Sequence, residues 1–351
     1  MRGDIVKVLY TIIIIALLFV SGCSLGDDEK KYELVYVKDE VSLEIKNEQN
    51  HQKITVAIVP KVVNILYFNA IETGALEAAN DLNVNVIYHG PAEANSDAQI
   101  EIVNEMIQAN VDVIAVSAND PEELAPVLKK AKNSGIKVIT WDSDTLPESR
   151  DLFINMVDPE VLGRHLMDLL AWNTDESGEY AVMMGSFTAA NSNEWTEWIK
   201  IHQEEYYPDM KLVEIVANDE DPIKSYNEAI KLLKKYPMLK GIIGSTSEAP
   251  PAIATAVKEL NVIDEVAVVG LSSPSLMRDH LKDGSAKAIT LWSPKKLGYL
   301  TVSLAKNIVE DSPPYDGQDI PKVGKVRVKE ETVIMGEPID FTKENVDQYD
   351  F

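Results

Sequence analysis

The sequence predicts an α/β protein made of two doubly wound parallel-sheet lobes. Short β-rich apolar runs alternate strictly with amphipathic helical stretches from residue 53 onward. That is the pattern of parallel strands joined by crossover helices. About nine such β-α steps follow one another, and two lobes of roughly four to six strands each fit them better than one open sheet. The length of 351 residues agrees, since domains average roughly 150 residues.

The elements follow in order. Residues 54–59 (ITVAIV) form a buried parallel strand, β-branched and apolar on both faces. Residues 67–82 carry a helix through Phe68, Ile71, Ala75, Leu76 and Ala79. A strand over 84–88 and a helix over 98–109 come next, the latter striped by Ile100, Val103, Met106 and Ile107. Residues 111–116 make the third strand. Pro121 opens a helix at its first turn, where a missing N–H costs nothing, and Asn133-Ser134-Gly135 closes it. Residues 136–140 are the fourth strand. Strands are then expected at 180–184, 211–216, 241–244, 266–269 and 288–291, and helices at 159–172, 193–205, 222–236, 250–260, 274–281 and 294–309. Residues 324–339 read as short strands punctuated by Gly336 and Pro338, running back between the lobes.

The composition, 45% hydrophobic and 26% charged, is that of a globular protein. Lys+Arg is 33 and Asp+Glu 57, a net charge of −24. Such a surface repels phosphate backbones and anionic lipid heads, so no nucleic acid and no basic membrane-binding face is expected. A single cysteine, Cys23, excludes an internal disulfide and a cysteine-based zinc site.

The N-terminus reads as an address. Arg2 and Lys7 precede a 13-residue apolar run (VLYTIIIIALLFV), shorter than the roughly 20 residues of a membrane span and suited to a signal peptide over residues 1–22. The run ends in Val20-Ser21-Gly22-Cys23, which resembles a bacterial lipobox. Lipidation of Cys23 is therefore expected, placing the mature protein outside the cytoplasm on a lipid anchor. Residues 23–52 then form a tether, polar at its start, with a partly alternating stretch at 32–45 that suggests a short edge strand.

No catalytic constellation is visible. The histidines at 51, 89, 165, 202 and 280 show no metal-ligand spacing. There is no Gly-x-Ser-x-Gly elbow and no phosphate loop. A binding protein is expected, not an enzyme, with no cofactor and no metal.

Candidate binding groups sit where ligands collect in α/β sheets, at the carboxyl ends of strands. Asp142 directly follows the fourth strand, and its carboxylate suits two adjacent hydroxyls; Asp144 lies two residues on. Lys61 follows the first strand, with Tyr67 and Phe68 at the next helix start. Asn191 and Ser192 lie beyond the strand at 180–184, Ser245 and Ser247 beyond that at 241–244. Trp195 and Trp292 are candidate aromatic walls for an apolar ligand face.

Several of these segments resemble a known family. They are Ile58-Val59-Pro60-Lys61, Phe68-x₅-Gly74-Ala75, the run 114–121 (IAVSANDP), the run 135–144 (GIKVITWDSD), Thr290 to Pro294 with Trp292, and the ending Tyr349-Asp350-Phe351. Together they are similar to type I periplasmic sugar-binding proteins of ABC importers, in the subgroup of autoinducer-2 receptors and rhamnose-binding proteins. The resemblance covers about residues 53–351. It implies two lobes joined by a three-strand hinge, with 53–156 and 292–325 in lobe one and 157–291 and 326–351 in lobe two. It implies a ligand-contacting lysine at Lys61. Of six contact positions carried over from the autoinducer-2 receptors, only Lys61 and Asp142 match. Asn191-Ser192 replace an acid followed by an amide, and Ser245 and Ser247 replace a proline and an alanine. These departures shift the expected ligand to a rhamnose-like sugar, delivered by a monomer to an ABC permease. The alternative is an autoinducer-2 receptor for uptake or quorum-sensing signalling.

Overall fold

The structure, a computed structural model, describes residues 53–351. The expected signal peptide, Cys23 and the tether lie outside the described residues.

The chain runs β1 (Thr55–Val59), α1 (Leu66–Leu82), β2 (Asn85–Tyr88), α2 (Ser96–Gln108), β3 (Val113–Val116), α3 (Pro121–Asn133), β4 (Lys137–Trp141) and β5 (Leu152–Asn155). It continues through α4 (Pro159–Trp172), β6 (Gly178–Met184), α5 (Ala190–Tyr206), β7 (Met210–Ala217), α6 (Pro222–Lys235), β8 (Leu239–Gly244), α7 (Ala249–Glu259), β9 (Ala267–Leu271), α8 (Pro274–Asp283) and β10 (Ala288–Leu291). After α9 (Pro294–Val309) come the short strands β11 (Asp319–Ile320), β12 (Gly324–Lys325), β13 (Arg327–Lys329), β14 (Thr332–Ile334) and β15 (Ile339–Phe341).

Local chemistry sets most helix starts. Asp120 accepts from the Glu122 and Glu123 N–H groups at the head of α3, and Asp158, Asp221, Ser273 and Ser293 cap α4, α6, α8 and α9. Each of these caps is followed by proline, pre-set for a first turn.

Two large sheets result, ordered β13-β14-β5-β4-β3-β1-β2 and β15-β10-β9-β8-β6-β7, with β11 and β12 paired apart as a small two-stranded sheet. Their parallel cores share one topology, β2-β1-β3-β4-β5 in the first and β7-β6-β8-β9-β10 in the second. In this order the chain reverses direction across the sheet beside the first strand of each lobe, opening a crevice at the strands' carboxyl ends. The crevices fall between β1 and β3 and between β6 and β8.

Strand alternation builds the first lobe's two cores. Val56 and Ile58 of β1 and Val113 and Ala115 of β3 face the layer holding α1 and α9. Ala57, Val59, Ile114 and Val116 face α2 and α3, against Ile102, Val103, Leu124 and Leu128. Each large aliphatic side chain so buried contributes roughly 1.5–3 kcal/mol. Helices α1 and α9 approach closely because Gly74 and Gly298 lie between them. A Cβ at Gly74 would stand 1.8 Å from the Lys295 carbonyl oxygen, and one at Gly298 2.0 Å from that of Ile71.

The chain passes between the sheets three times, at residues 156–158, 292–293 and 335–338. The first and third crossings are tied together: Met335 N–H donates to the Asn155 carbonyl (2.8 Å) and Gly336 N–H to that of Met156 (3.1 Å).

Two expectations need correction. Strand β5 was not foreseen, because four residues (LFIN) after Arg150-Asp151 are too few to display a period. The expected second lobe took in all of 326–351, yet β14 pairs in parallel with β5 and β13 pairs with β14. The first lobe's sheet thus extends through Ile334, and the chain joins the second sheet only at β15, antiparallel to β10. Alternating apolar residues mark an edge strand without saying which sheet it joins.

Candidate ligand-binding site

The two crevices face one another, and the segments leaving β1, β3 and β4 meet those leaving β6, β7 and β8. Between them lies a cavity of about 30 Å³, lined by residues of both lobes, at the strand ends where α/β folds place ligands.

Asp142 organises the first lobe's side. It follows β4 in a left-handed conformation (φ 62°), which aspartate adopts more readily than most residues. Its Oδ1 accepts from the Tyr67 hydroxyl (3.0 Å) and its Oδ2 from the Ser117 hydroxyl (2.7 Å). Lys61 Nζ lies 3.9 Å from Oδ2. The Tyr67 oxygen in turn accepts from the Trp292 indole N–H (3.1 Å). Burial, reinforced by the Asp142 charge, pushes the Tyr67 hydroxyl well above its usual range, so it stays protonated as a donor.

Behind this cluster sits Gln99 on α2, fully buried. Its amide donates to the carbonyls of Pro60 (2.9 Å) and Ser117 (2.8 Å) and accepts from Asn119 N–H (3.0 Å). Asn119 donates to the Lys61 carbonyl (3.0 Å). One buried glutamine thus fixes the ends of β1 and β3, where Lys61 and Ser117 emerge.

The second lobe presents a different chemistry. Asn191 and Ser192 lie in the first turn of α5, and the Asn191 Oδ1 accepts from Lys61 Nζ at 2.9 Å, a charge-assisted bond across the cleft. Ser245, Thr246 and Ser247 follow β8, with Ser245 N–H donating to Met183 (2.8 Å). Buried Asn218, after β7, donates to Ser225 (2.9 Å) and Thr246 (2.7 Å). Trp195 and Trp292 close the wall with ring centroids 6.1 Å apart, and Trp292 meets Tyr67 edge-on, also at 6.1 Å.

Ten of the eleven predicted residues line this cavity: Lys61, Tyr67, Phe68, Asp142, Asn191, Ser192, Trp195, Ser245, Ser247 and Trp292. Asp144 does not. Its carboxylate is held by Arg150 Nε (2.8 Å) and Nη2 (3.0 Å) and by Thr145 N–H (2.8 Å), a bidentate pair that secures the β4–β5 connection. Sequence reasoning missed Glu220, Thr246, Leu271 and Leu291 in the lining, and Ser117 and Gln99 behind it. Glu220 is the consequential omission. It stands in Asn218-Asp219-Glu220-Asp221 at the carboxyl end of β7, a signal lost among 57 acidic residues. Burial in the cavity pushes its carboxyl up to about 7, against the opposing pull of Lys61.

The arrangement therefore offers acceptors, amides, hydroxyls and one cation around an aromatic wall. Among the described residues no cluster of His, Cys, Asp or Glu is placed to hold a metal ion.

Residues 56–312 match the family model described as periplasmic binding protein domain. The chain belongs to the periplasmic binding protein family. Its two parallel-sheet lobes have the type I periplasmic binding protein architecture. It is 25% identical over 245 residues to the D-ribose/D-allose-binding protein of Pseudomonas aeruginosa, covering 68% of this chain and 76% of that one. Among solved structures, a solute-binding protein from Clostridium phytofermentas with bound L-rhamnose superposes with a TM-score of 0.81 and 27% identity, over 85% of this chain and 98% of its own. LsrB from Clostridium saccharobutylicum in complex with AI-2 gives a TM-score of 0.80 at 24% identity, over 85% and 100%; at that identity the likeness speaks to the fold.

Proposed function

We propose that this periplasmic binding protein is the extracytoplasmic, lipid-anchored substrate-binding component of an ABC importer, and that it captures a rhamnose-like sugar between its lobes. The observation that carries this reading is the junction at Lys61. One lysine of the first lobe reaches Asn191 of the second and stands beside Asp142, so the groups that would grip hydroxyls also join the two halves. The aromatic wall of Trp195 and Trp292 suits the apolar face of a sugar ring.

Capture then couples to closure. A sugar held by Asp142 and Lys61 on lobe one gains further bonds from Asn191, Ser192 and the Ser245–Ser247 turn only when lobe two swings onto it. Its differential affinity for the closed form shifts the population toward closure. The closed protein, a monomer on its lipid anchor at Cys23, is the form the permease receives.

Calorimetry with L-rhamnose, D-ribose, D-arabinose and autoinducer-2 tests the reading. Binding of a neutral monosaccharide in preference to autoinducer-2 is the expected result. Exclusive binding of autoinducer-2 would establish the receptor reading instead, which Lys61 and Asp142 also favour. Labelling of the wild type, but not of Cys23→Ser, with a radioactive fatty acid tests the anchor.

A further inference from the structure

We propose that Glu220 is a specificity-determining contact, the carboxyl with which the second lobe reads a hydroxyl of the guest. This rests on the sugar-binding reading above and deepens it.

The carboxyl is deliberately placed. Asp219 and Glu220 both hold left-handed backbone conformations (φ 52° and 57°), which non-glycine residues keep only where the surroundings over-determine them. The surroundings do so here. Asp219 N–H donates to the Gly185 carbonyl (2.8 Å), Glu220 N–H to the Asn218 side chain (3.1 Å) and Asp221 N–H to the Asn218 carbonyl (3.0 Å). Space is kept for the acid as well: a Cβ on Gly185 would lie 2.7 Å from Glu220 Oε1. The strained turn, buried Asn218 and Gly185 all serve to aim one carboxyl into the cavity.

That carboxyl is also uncommitted. Among the described residues no hydrogen bond or ion pair engages it, whereas Asp142 accepts from Tyr67 and Ser117 and Asp219 pairs with Lys224. The charged groups acting on it are Lys61, Asp142, Glu248 and Asp219. Lys61 is already bonded to Asn191 and adjacent to Asp142. Position 191, where the resemblance leads one to expect an acid, holds an amide; Glu220 supplies an acid to the same side of the cavity from a different strand. A guest hydroxyl donating to it forms a charge-assisted bond, and a guest lacking that hydroxyl leaves the half-buried acid unpaired, which is how such sites discriminate.

Because the guest would bond the ionised form, its affinity should rise as pH passes upward through about 7, to which the cavity pushes the half-buried carboxyl. Calorimetry at pH 6 and pH 8 provides the test, using L-rhamnose, D-ribose, D-arabinose and 2-deoxy-D-ribose on the wild type, Glu220→Gln, Glu220→Ala and Gly185→Ala. For the tightest sugar, Glu220→Ala should weaken binding roughly tenfold or more at pH 8. Glu220→Gln should weaken it less and abolish the rise with pH. Gly185→Ala, which displaces the carboxyl but leaves it present, should fall between wild type and Glu220→Ala. Circular dichroism checks that each variant is folded; if Glu220→Ala is not, the flat pH profile of Glu220→Gln decides. A wild type that binds a sugar, with Glu220→Ala or Glu220→Gln within twofold at both pH values, overturns this inference and leaves the sugar-binding reading standing. A wild type that binds none of the sugars overturns both.

Discussion

The two lobes repeat one topology yet end in different chemistry at the cleft. In the first, Gln99 locks the ends of β1 and β3, and Tyr67, Ser117 and Lys61 converge on Asp142, with Trp292 bonded to the Tyr67 oxygen behind them. In the second, Asn218 plays the bracing part, but the groups it positions are Thr246 and a carboxyl that has no partner among the described residues, beside neutral Asn191 and Ser192. The comparison teaches that a preorganised charged anchor and an adaptable hydrogen-bonding face can be built on the same strand order. Discrimination between guests then falls to the less committed lobe.

The largest effect is expected at the anchor. Asp142→Ala removes the acceptor shared by Tyr67, Ser117 and Lys61, and sugar affinity by calorimetry should drop roughly a hundredfold or more, each buried charged hydrogen bond contributing about 1.5–3 kcal/mol. A variant that keeps wild-type affinity would mean the first lobe is not the anchor. Asp144→Ala, two residues away, sharpens the contrast. It strips buried Arg150 of its bidentate partner, so stability in urea should fall by roughly 3 kcal/mol, while affinity stays within about twofold of wild type once folded protein is compared.

The two braces come next. Gln99→Ala and Asn218→Ala should each cost about 1–3 kcal/mol in chemical denaturation, because each strands buried polar groups. Their effects on binding separate the lobes: Gln99→Ala should weaken all sugars alike, whereas Asn218→Ala should change the ranking among them.

The smallest expected effect is in the acid and neutral limbs of stability. On the outer face of the first lobe, hydrogen bonds from Lys295 and Lys322 hold the Glu77 carboxyl down at about 2. That stabilisation is present above the ordinary carboxylate value and is lost as pH falls toward 2. Lys322→Gln should therefore narrow its melting-temperature gap from wild type between pH 5 and pH 2.5. Glu220 has the opposite sign. Its raised value means the folded chain holds a proton that the unfolded chain releases, so stability declines as pH rises from about 4.5 to about 7. Glu220→Gln should flatten that limb, and an unchanged slope would show the carboxyl to be solvated.

Much of this was legible in the residues themselves. Strand and helix alternation marked every element of the two sheets' parallel cores except β5, whose four residues carry no period. Asp142 could be found because it directly follows an apolar strand, the place where an α/β sheet exposes side chains to a ligand; Lys61, one residue further from its strand, owed its place to the family resemblance as well. Asp144 sits just as close in sequence, but only the fold brings Arg150 round to claim it.

What the sequence determined alone is the local order: apolar runs long enough to be strands, capped and proline-led helices between them, and polar residues at strand ends. These follow from hydrogen bonding and burial within a dozen residues. The tertiary structure decided which strand ends meet. The sheet joined by β13 and β14, the bond from Lys61 to Asn191 across 130 positions and the aim of Glu220 past Gly185 all depend on contacts between distant segments. Such contacts form only when the lobes pack, and no local pattern encodes which distant partner each residue will meet.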